Sequence, residues 1–420
     1  MPATLITNIK QLVNVRTESP VLRGKQLAEL PCIENAYLLV EDDTIAGYGP
    51  MGALRQAQGD GQAKDDILDA SGCLVLPAWC DSHSHLVFAA SRESEFIDKI
   101  KGLSYAEIAA RGGGILNSAR KLQETSEEEL VRLALARLEE VSRLGTGAIE
   151  IKSGYGLTVE AELKMLRVIK RLKEQSPVSI KATFLGAHTY PPEYKDNHQG
   201  YIDIITQQML PAIAAEKLAD YIDVFCETGF FSPEETMTIC RAGMQYGLTP
   251  KIHANQLHCS GGVQAGVALG AVSVDHLETM DDAAIRALAG SNTIGTLLPT
   301  AAFFLRMPFQ PARALADAGC ALALATDFNP GSSPSGNMNL VVAMSCIQMK
   351  LLPEEAINAA TLNGAHAMEL GKELGSITVG KKANLIVTKP VPSLAYLPYA
   401  FGTSLVDKVM IRGEWISSGS

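Results

Sequence analysis

Short apolar runs alternate with longer helical segments from residue 73 to residue 327. Eight runs have the length and the β-branched content of strands, at residues 73–83, 147–154, 178–188, 221–227, 249–256, 271–278, 293–299 and 320–327. Helical periodicity fills segments between them, among them 126–145, 158–175 and 232–247, and each of these three begins close to a Ser or Thr. Apolar strands that alternate with helices are typical of a parallel sheet, and eight such units predict an α/β fold, a (β/α)8 barrel. The alternative, a doubly wound open sheet, rarely needs eight regular units.

The two ends of the chain have a different character. Residues 1–70 and 375–415 contain short segments of alternating polarity with Gly and Asp turns and little helix. We expect the two ends to pair into one small β-sandwich domain beside the barrel. The expected division is therefore a β-rich part at 1–73, a barrel at 74–374, and a second β-rich part at 375–420.

Composition narrows the classes of partner and the compartment. The 36 Lys and Arg residues are outnumbered by 46 Asp and Glu residues, and the net charge of −10 argues against a nucleic-acid partner. The sequence shows no signal peptide and no apolar run long enough to span a bilayer. The eight cysteines include no C-x-x-C pair, which favours a reducing compartment. We therefore expect a cytoplasmic protein that binds neither nucleic acid nor membranes.

The histidines concentrate at one end of the predicted barrel. Active sites of such barrels form where the strands end, at their C-terminal face. Five of the eight histidines and one aspartate fall in or close to the ends of predicted strands: His83, His85, His188, His253, His276 and Asp327. One histidine in such a place is more often a hydrogen-bonded core residue. Five together indicate a functional site.

The donor types in this group are those of a catalytic metal centre. In a strand, residues two apart point to the same side, so His83 and His85 converge on one point. We predict that His83, His85, His253 and Asp327 bind one divalent metal ion, Zn²⁺ or Fe²⁺. Such an ion would acidify a water molecule near neutral pH. His276 is a further ligand or a residue that orients Asp327 and the attacking water.

The motifs of this chain resemble those of a known group of hydrolases. The H-x-H strand, the later His, His and Asp, and the closing GSITVGKKANLIV resemble the amidohydrolase superfamily. Within it, the blocks EIKSGYGLTVEAELKMLRVIKRL, TFLGAHTYPPEY and ALATDFNPGSSP resemble the imidazolonepropionase family, and the resemblance extends over nearly the whole chain. Many superfamily members bind a second metal through a lysine at the end of strand four. Here that strand offers Glu227 and no lysine, which favours a single metal.

The resemblance implies a substrate and a reaction, the hydrolysis of the cyclic amide C–N bond of 4-imidazolone-5-propanoate to N-formimidoyl-glutamate. A bidentate cation suits the propionate tail, and Arg92 is the candidate. The full set of candidate substrate contacts is Arg92, Tyr155, His188, Gln256, Asn329, Gly331 and Ser332. The candidates for proton transfer and catalysis are His276, Asp327 and Gln256. Relatives of this kind are commonly homodimers.

Two other functions fit part of the sequence. A guanine or cytosine deaminase of the same superfamily would share the His and Asp set, but deaminases usually carry a glutamate shortly after the strand-five histidine. Here that region reads HANQL. A non-catalytic barrel like the dihydropyrimidinase-related proteins would tend to lose metal ligands, whereas here the full set is present.

Overall fold

The computed structural model describes residues 3–57, 66–103 and 113–417 of the chain, and its strands form two sheets. The strands of the first sheet are β1 Ala3–Val13, β2 Cys32–Glu41, β3 Thr44–Pro50, β4 Asp66–Asp69, β5 Leu74–Pro77, β14 Leu385–Thr388, β15 Val406–Ile411 and β16 Glu414–Trp415. Those of the second are β6 Trp79–Asp81, β7 Thr146–Lys152, β8 Ser179–Ala187, β9 Tyr221–Cys226, β10 Thr249–Ala254, β11 Ser273–His276, β12 Ile294–Leu297 and β13 Leu322–Leu324.

Helices follow most of the strands of the second sheet. The α-helices are Met51–Ala57, Glu93–Ile100, Ile115–Glu124, Glu127–Arg143, Val159–Gln175, His198–Ile204, Leu210–Glu216, Pro233–Met244, Gly262–Leu269, Asp282–Ala289, Pro299–Leu305, Ala312–Asp317, Met338–Ile347, Pro353–Ala360, Leu362–His366 and Tyr396–Tyr399. Two short 3₁₀ helices, Gly24–Ala28 and Pro192–Tyr194, and one π-helical turn, Ile205–Met209, complete the set in the described ranges. Within those ranges, each helix is too short or too polar to cross a bilayer.

Strands β6 to β13 form the predicted barrel. Each is parallel to its sequence neighbours, in the order of the chain. The ring is joined just beyond the strand ends, where Asp327 N donates to His83 O at 3.0 Å and His85 N donates to Phe328 O at 2.9 Å. The α/β barrel prediction is thus confirmed. The same hydrogen bonds place two predicted metal ligands of the first strand beside the aspartate that follows the last.

The first predicted strand is divided between the two sheets. Leu74–Pro77 pairs with β1 and β14, whereas Trp79–Asp81 pairs with the barrel strand β7. Ala78 lies between them, and its N–H donates to Asn384 O at 2.9 Å. The chain therefore passes from one sheet into the other within a single apolar run, and composition alone does not mark the point of passage.

Both chain ends build the first sheet, as expected. Its strand order is β16-β15-β14-β5-β1-β2-β3, with β4 paired to β1. The sequence predicted a sandwich here, and the hydrogen bonding joins all eight strands into one mixed sheet. The sheet has a core of its own, which includes Ile6, Leu38, Val75, Leu385 and Met410. The division at residues 73 and 374 remains a prediction about domains.

The helix starts agree with their sequence signals. Ser126 and Thr158 accept a hydrogen bond from the backbone N–H three residues on, at Glu129 and Ala161. Ser232 begins its helix with a full capping box. These caps satisfy N–H groups that have no partner inside the helix. They fix where each of these three helices starts.

Candidate metal centre and active site

Three histidines and one aspartate converge at the C-terminal ends of the barrel strands. His83 and His85 follow β6, His253 lies in β10, and Asp327 follows β13. All four are at most 2% exposed. The parallel barrel brings together strand ends that are far apart in the chain, so the sequence prediction of a shared site agrees with the placement of these side chains.

The spacing of their donor atoms fits one metal ion. Asp327 Oδ1 lies 3.5 Å from both His83 Nε2 and His85 Nε2, and His85 Nε2 lies 3.4 Å from His253 Nε2. Tetrahedral ligands about 2.1 Å from a zinc ion would stand roughly 3.4 Å apart. His83 Nε2 is buried and has no hydrogen-bond partner among the described residues. This donor set fits a divalent ion.

The protonation state of the histidines also suits metal binding. Burial, and then the charge of Lys152, lower the pKa of His83 well below its ordinary value. Burial, and then the proximity of the His188 ring, do the same to the pKa of His85. Neutral imidazoles offer a free nitrogen lone pair, so these rings are in the state that binds metal.

Buried carboxylates hold two of the rings from behind. His83 Nδ1 donates to Asp275 Oδ2 at 2.7 Å, and His253 Nδ1 lies 2.9 Å from Asp223 Oδ2. Asp223 Oδ1 also accepts from the backbone N–H of His253 at 3.0 Å. Such partners fix the tautomer and the orientation of a ligating histidine, and leave Nε2 for the metal.

Two lysines lie among these carboxylates inside the barrel. Lys152 Nζ is 2.8 Å from Asp223 Oδ2, 3.6 Å from Asp275 Oδ2 and 2.5 Å from Glu150 Oε1. Lys251 Nζ pairs with the other oxygen of Glu150. Burial opposes the charge of Lys152, but Asp223 and Glu150 outweigh it and raise the pKa of Lys152. An ammonium ion therefore connects the two carboxylates that hold His83 and His253.

The sequence prediction did not include these five charged residues. Their signal is an ionisable residue inside an otherwise apolar strand, as in EIK at 150–152, YID at 221–223 and TPKIH at 249–253. Residues two apart share a face, so Glu150 and Lys152 point into the barrel together, as Lys251 and His253 do. Because a buried charge needs a partner of opposite sign, this pattern in a sequence indicates a network of buried charges.

His276 lies beside the predicted ligands and is held by an acid. Its ring centroid is 5.5 Å from that of His83 and 5.2 Å from that of His253. Its Nδ1 lies 3.4 Å from Glu278 Oε1, which also accepts from Gln310 Nε2 at 3.0 Å. Burial opposes protonation of His276, but the carboxylate of Glu278 outweighs it and raises its pKa. The ring can thus carry a proton at the site.

The predicted substrate contacts line one cavity above the donor cluster. The cavity measures about 620 Å³, and its walls include His85, Arg92, Tyr155, His188, His253, Gln256, His276, Asp327, Asn329, Gly331 and Ser332. The His188 ring stacks on His85, with centroids 5.3 Å apart, and its Nδ1 lies 3.0 Å from Gly154 O. Burial lowers the pKa of His188 to about 3. The structure therefore brings all the candidate contacts to one place.

The turn after Asp327 uses its own backbone donors. Gly331 N and Ser332 N both donate to Asn329 Oδ1 at 2.8 Å. Ser332 Oγ lies 3.1 Å from Asp327 Oδ2, and Asn329 Nδ2 donates to Asp327 O at 2.6 Å. From the sequence, the side chains and N–H groups of this turn suit a substrate carboxylate or amide. In this structure they hold the turn and steady Asp327.

Glu227, at the end of strand four, has a structural environment. Its carboxylate accepts from Thr228 N at 2.7 Å and Leu257 N at 2.8 Å, and lies 3.1 Å from His258 Nδ1. It thus holds the loop after β10 in place.

In the described ranges, the two groups of side chains that could hold a metal are His83 with His85 and His253, and His83 with His276 and Asp327. Both describe the same centre.

Comparison with known proteins points to one family. The amidohydrolase family model matches residues 74–416. An imidazolonepropionase from Flavobacterium johnsoniae is 60% identical over 98% of this chain and 100% of its own length. One from Geobacillus kaustophilus is 40% identical over 99% of this chain and 98% of its own.

Solved structures show the same fold at low identity. A guanine deaminase from E. coli superimposes with a TM-score of 0.74 at 14% identity, covering 100% of both chains. An adenosine deaminase from Xanthomonas campestris with bound zinc gives 0.68 at 18% identity, covering 98% of this chain and 92% of that one. At such identities the likeness concerns the fold.

Proposed function

Since the chain belongs to the amidohydrolase family, and within it to the imidazolonepropionases, we propose that it hydrolyses 4-imidazolone-5-propanoate to N-formimidoyl-L-glutamate, a step of histidine degradation. The observation that supports the proposal best is the His83, His85, His253 and Asp327 cluster at the floor of a cavity whose wall carries Arg92. A hydrolytic centre and a carboxylate-binding cation in one small cavity suit a cyclic amide with a propionate tail.

One divalent ion per chain, Zn²⁺ or Fe²⁺, is the proposed cofactor. His83, His85 and His253 would hold it through Nε2, and Asp327 through Oδ1. Such an ion, when bound, makes a coordinated water acidic near neutral pH and polarises an amide carbonyl. Asp223 and Asp275 keep the rings in place, and Lys152 keeps those carboxylates together.

Asp327 and His276 are the proposed proton carriers. Burial raises the pKa of Asp327, so this carboxylate can take a proton from the attacking water and release it again. His276, whose proton Glu278 stabilises, would donate to the developing oxyanion or to the departing ring nitrogen. Gln256, on the cavity wall, is the proposed partner of a ring N–H or carbonyl.

The cavity wall would orient the ring and its tail. Arg92 would bind the propionate through two N–H groups, and His188 and Tyr155 would border the ring. The ring centroids of His188 and Tyr155 are 5.5 Å apart, and both lie beside His85. Held there, the lactam carbonyl would face the donor cluster.

An assay with substrate made in place tests the proposal. Imidazolonepropionate is unstable, so urocanase should generate it from urocanate in the cuvette. The protein should then speed the loss of the imidazolone absorbance and yield formimidoyl-glutamate without ammonia above background. If the metal-loaded protein left imidazolonepropionate intact and released ammonia from a purine or pyrimidine, it would be a deaminase of the same family.

We further propose a homodimer that acts in the cytoplasm on this small substrate and binds no nucleic acid. The reducing compartment is supported by the eight cysteines, which are all free. Five of them are buried. Sedimentation of the metal-loaded protein would measure the oligomeric state.

A further inference from the structure

Arg92 is already paired before any substrate binds. Its Nε donates to Glu95 Oε2 at 2.8 Å, and its Nη2 donates to the same oxygen. Glu95 is 6% exposed, and its other oxygen accepts from Gly114 N at 3.1 Å. The guanidinium is therefore oriented by a fixed acid, but its formal charge is cancelled by that acid. This pair alone gives the cavity no net positive charge with which to attract an anion.

A second cation lies on the helix that Arg92 precedes, two turns after Arg92. Arg92 immediately precedes the helix Glu93–Ile100. Glu95 comes three residues after Arg92, and Lys99 comes four residues after Glu95, so all three share a face. Lys99 lines the same cavity as Arg92. Its Nζ donates to Gly331 O at 3.2 Å and lies 5.7 Å from the centre of the Phe304 ring.

Gly331 connects the two cations. A Cβ atom placed on Gly331 would lie 2.2 Å from Arg92 Nη1, so the guanidinium rests directly against this backbone. The carbonyl of the same residue accepts from Lys99. Both positive groups therefore meet at one short piece of the cavity wall, where the turn N–H groups are already bonded to Asn329.

We propose that Lys99 is a second carboxylate-binding residue, which acts with Arg92 on the propionate tail of the substrate. This rests on the proposed function and adds a residue to its substrate-binding site. An ammonium has three N–H groups, so Lys99 can keep its bond to Gly331 O and still donate to a carboxylate. With Lys99, the group of Arg92, Glu95 and Lys99 carries one net positive charge, which matches one carboxylate.

The proposal predicts a change in binding rather than in chemistry. Lys99→Met keeps an unbranched apolar side chain, one atom shorter than that of lysine, and removes the charge, so KM for imidazolonepropionate should rise about tenfold, the lower part of the range for a charge-assisted hydrogen bond. The kcat should stay within about twofold, because the tail is remote from the reacting bond. Lys99→Arg should restore most of the affinity. Lys101→Met, an exposed lysine just past the helix end, is the matched control.

Two unreactive probes separate charge recognition from packing. 3-(Imidazol-4-yl)propanoate carries the carboxylate, and 4-propylimidazole lacks it. Lys99→Met should weaken inhibition by the first probe about tenfold and leave inhibition by the second unchanged. An unchanged KM, or an equal loss for both probes, would overturn the proposal. If the wild type did not consume imidazolonepropionate, the proposed function would fail, and direct titration of the two probes would still decide whether Lys99 recognises a carboxylate.

Discussion

Asp275 should set how tightly the metal is held, although it is not one of the proposed ligands. It lies on β11, is fully buried, and accepts from His83 Nδ1 at 2.7 Å. Its other oxygen accepts from Ser273 Oγ at 2.5 Å. Asp275→Asn removes the charge and preserves the shape. Because a serine hydroxyl can also accept, the new NH₂ can turn toward Ser273 and leave the amide oxygen facing His83.

The structure therefore predicts a moderate loss of metal affinity when Asp275 is replaced. Removing the partner of a metal-bound histidine typically costs tenfold to a hundredfold in metal affinity. Asp275→Asn keeps the hydrogen bond and should lie near tenfold, about 1.4 kcal/mol. Asp275→Ala removes the acceptor as well and should approach a hundredfold, about 2.7 kcal/mol. Lys152 keeps Glu150 and Asp223 as partners in both variants, so the barrel should stay folded.

Competition with a chromogenic chelator measures this affinity directly, and circular dichroism checks the fold. Asp281→Asn is the matched control, because Asp281 caps a helix by accepting from Ala284 N, and Asn caps a helix as well as Asp does. If both Asp275 variants released metal as slowly and held it as tightly as the wild type, Asp275 would not be what holds His83, and the argument from the carboxylates would be refuted.

Three further predictions concern the ligands, the tail-binding site and pH. His83→Ala combined with His85→Ala should lower the metal content from about one per chain to near zero and abolish turnover while the chain stays folded. Elemental analysis would measure the metal, and circular dichroism would check the fold. Full activity in this variant would place the site elsewhere. Arg92→Ala should raise KM strongly, and Arg92→Lys should restore it only in part, since an ammonium lacks the planar fork of a guanidinium. Gly331→Ala should also raise KM, because the new methyl group would displace Arg92. Wild-type KM values in all three variants would contradict the assignment of Arg92 to the propionate tail. For His188, the folded pKa of about 3 lies below the ordinary 6.5, so the unfolded chain takes up a proton that the folded chain refuses. His188 therefore makes its full contribution to the free energy of unfolding above pH 6.5, and this free energy falls by up to about 1.4 kcal/mol per pH unit as the pH drops toward 3. His188→Asn should flatten this slope in urea unfolding, and an unchanged slope would refute the prediction.

The candidate metal ligands could be predicted from the sequence because the geometry of a barrel largely determines where they lie. A parallel strand sends its end to one face of the barrel, so His83, His85 and His253 had to meet once the strands were identified. Asp327 followed from the same reasoning. The separation of their donor atoms then depends on the barrel closing between residues 83–85 and 327–328, which periodicity does not reveal.

Periodicity could not place Asp275 and His276 together. Neighbouring residues in a strand point to opposite sides, so only one of the two should face the interior. Both do, because His276 has a φ of 87° and Leu277 a φ of 66°, which turn the chain at the strand end. Such conformations are rare for residues other than glycine and are typical of functional sites. The strand pattern therefore gives one of these residues and conceals the other.

The buried charges under the site follow a simple electrostatic requirement. Inside the barrel, two lysines pair with three carboxylates, Lys152 and Lys251 against Glu150, Asp223 and Asp275. Burial raises the pKa of a fourth carboxyl, Asp81, to about 7. Counted with Asp81 in its neutral form, these formal charges leave one net negative charge. Asp327 adds a second negative charge above them. A divalent ion balances the two, whereas a second divalent ion would leave a buried excess of positive charge, which is costly in a buried site. Lys152 already supplies a positive charge between the acids that hold His83 and His253. The same charge count therefore favours one metal ion in this barrel, a conclusion that the missing lysine at strand four suggests independently.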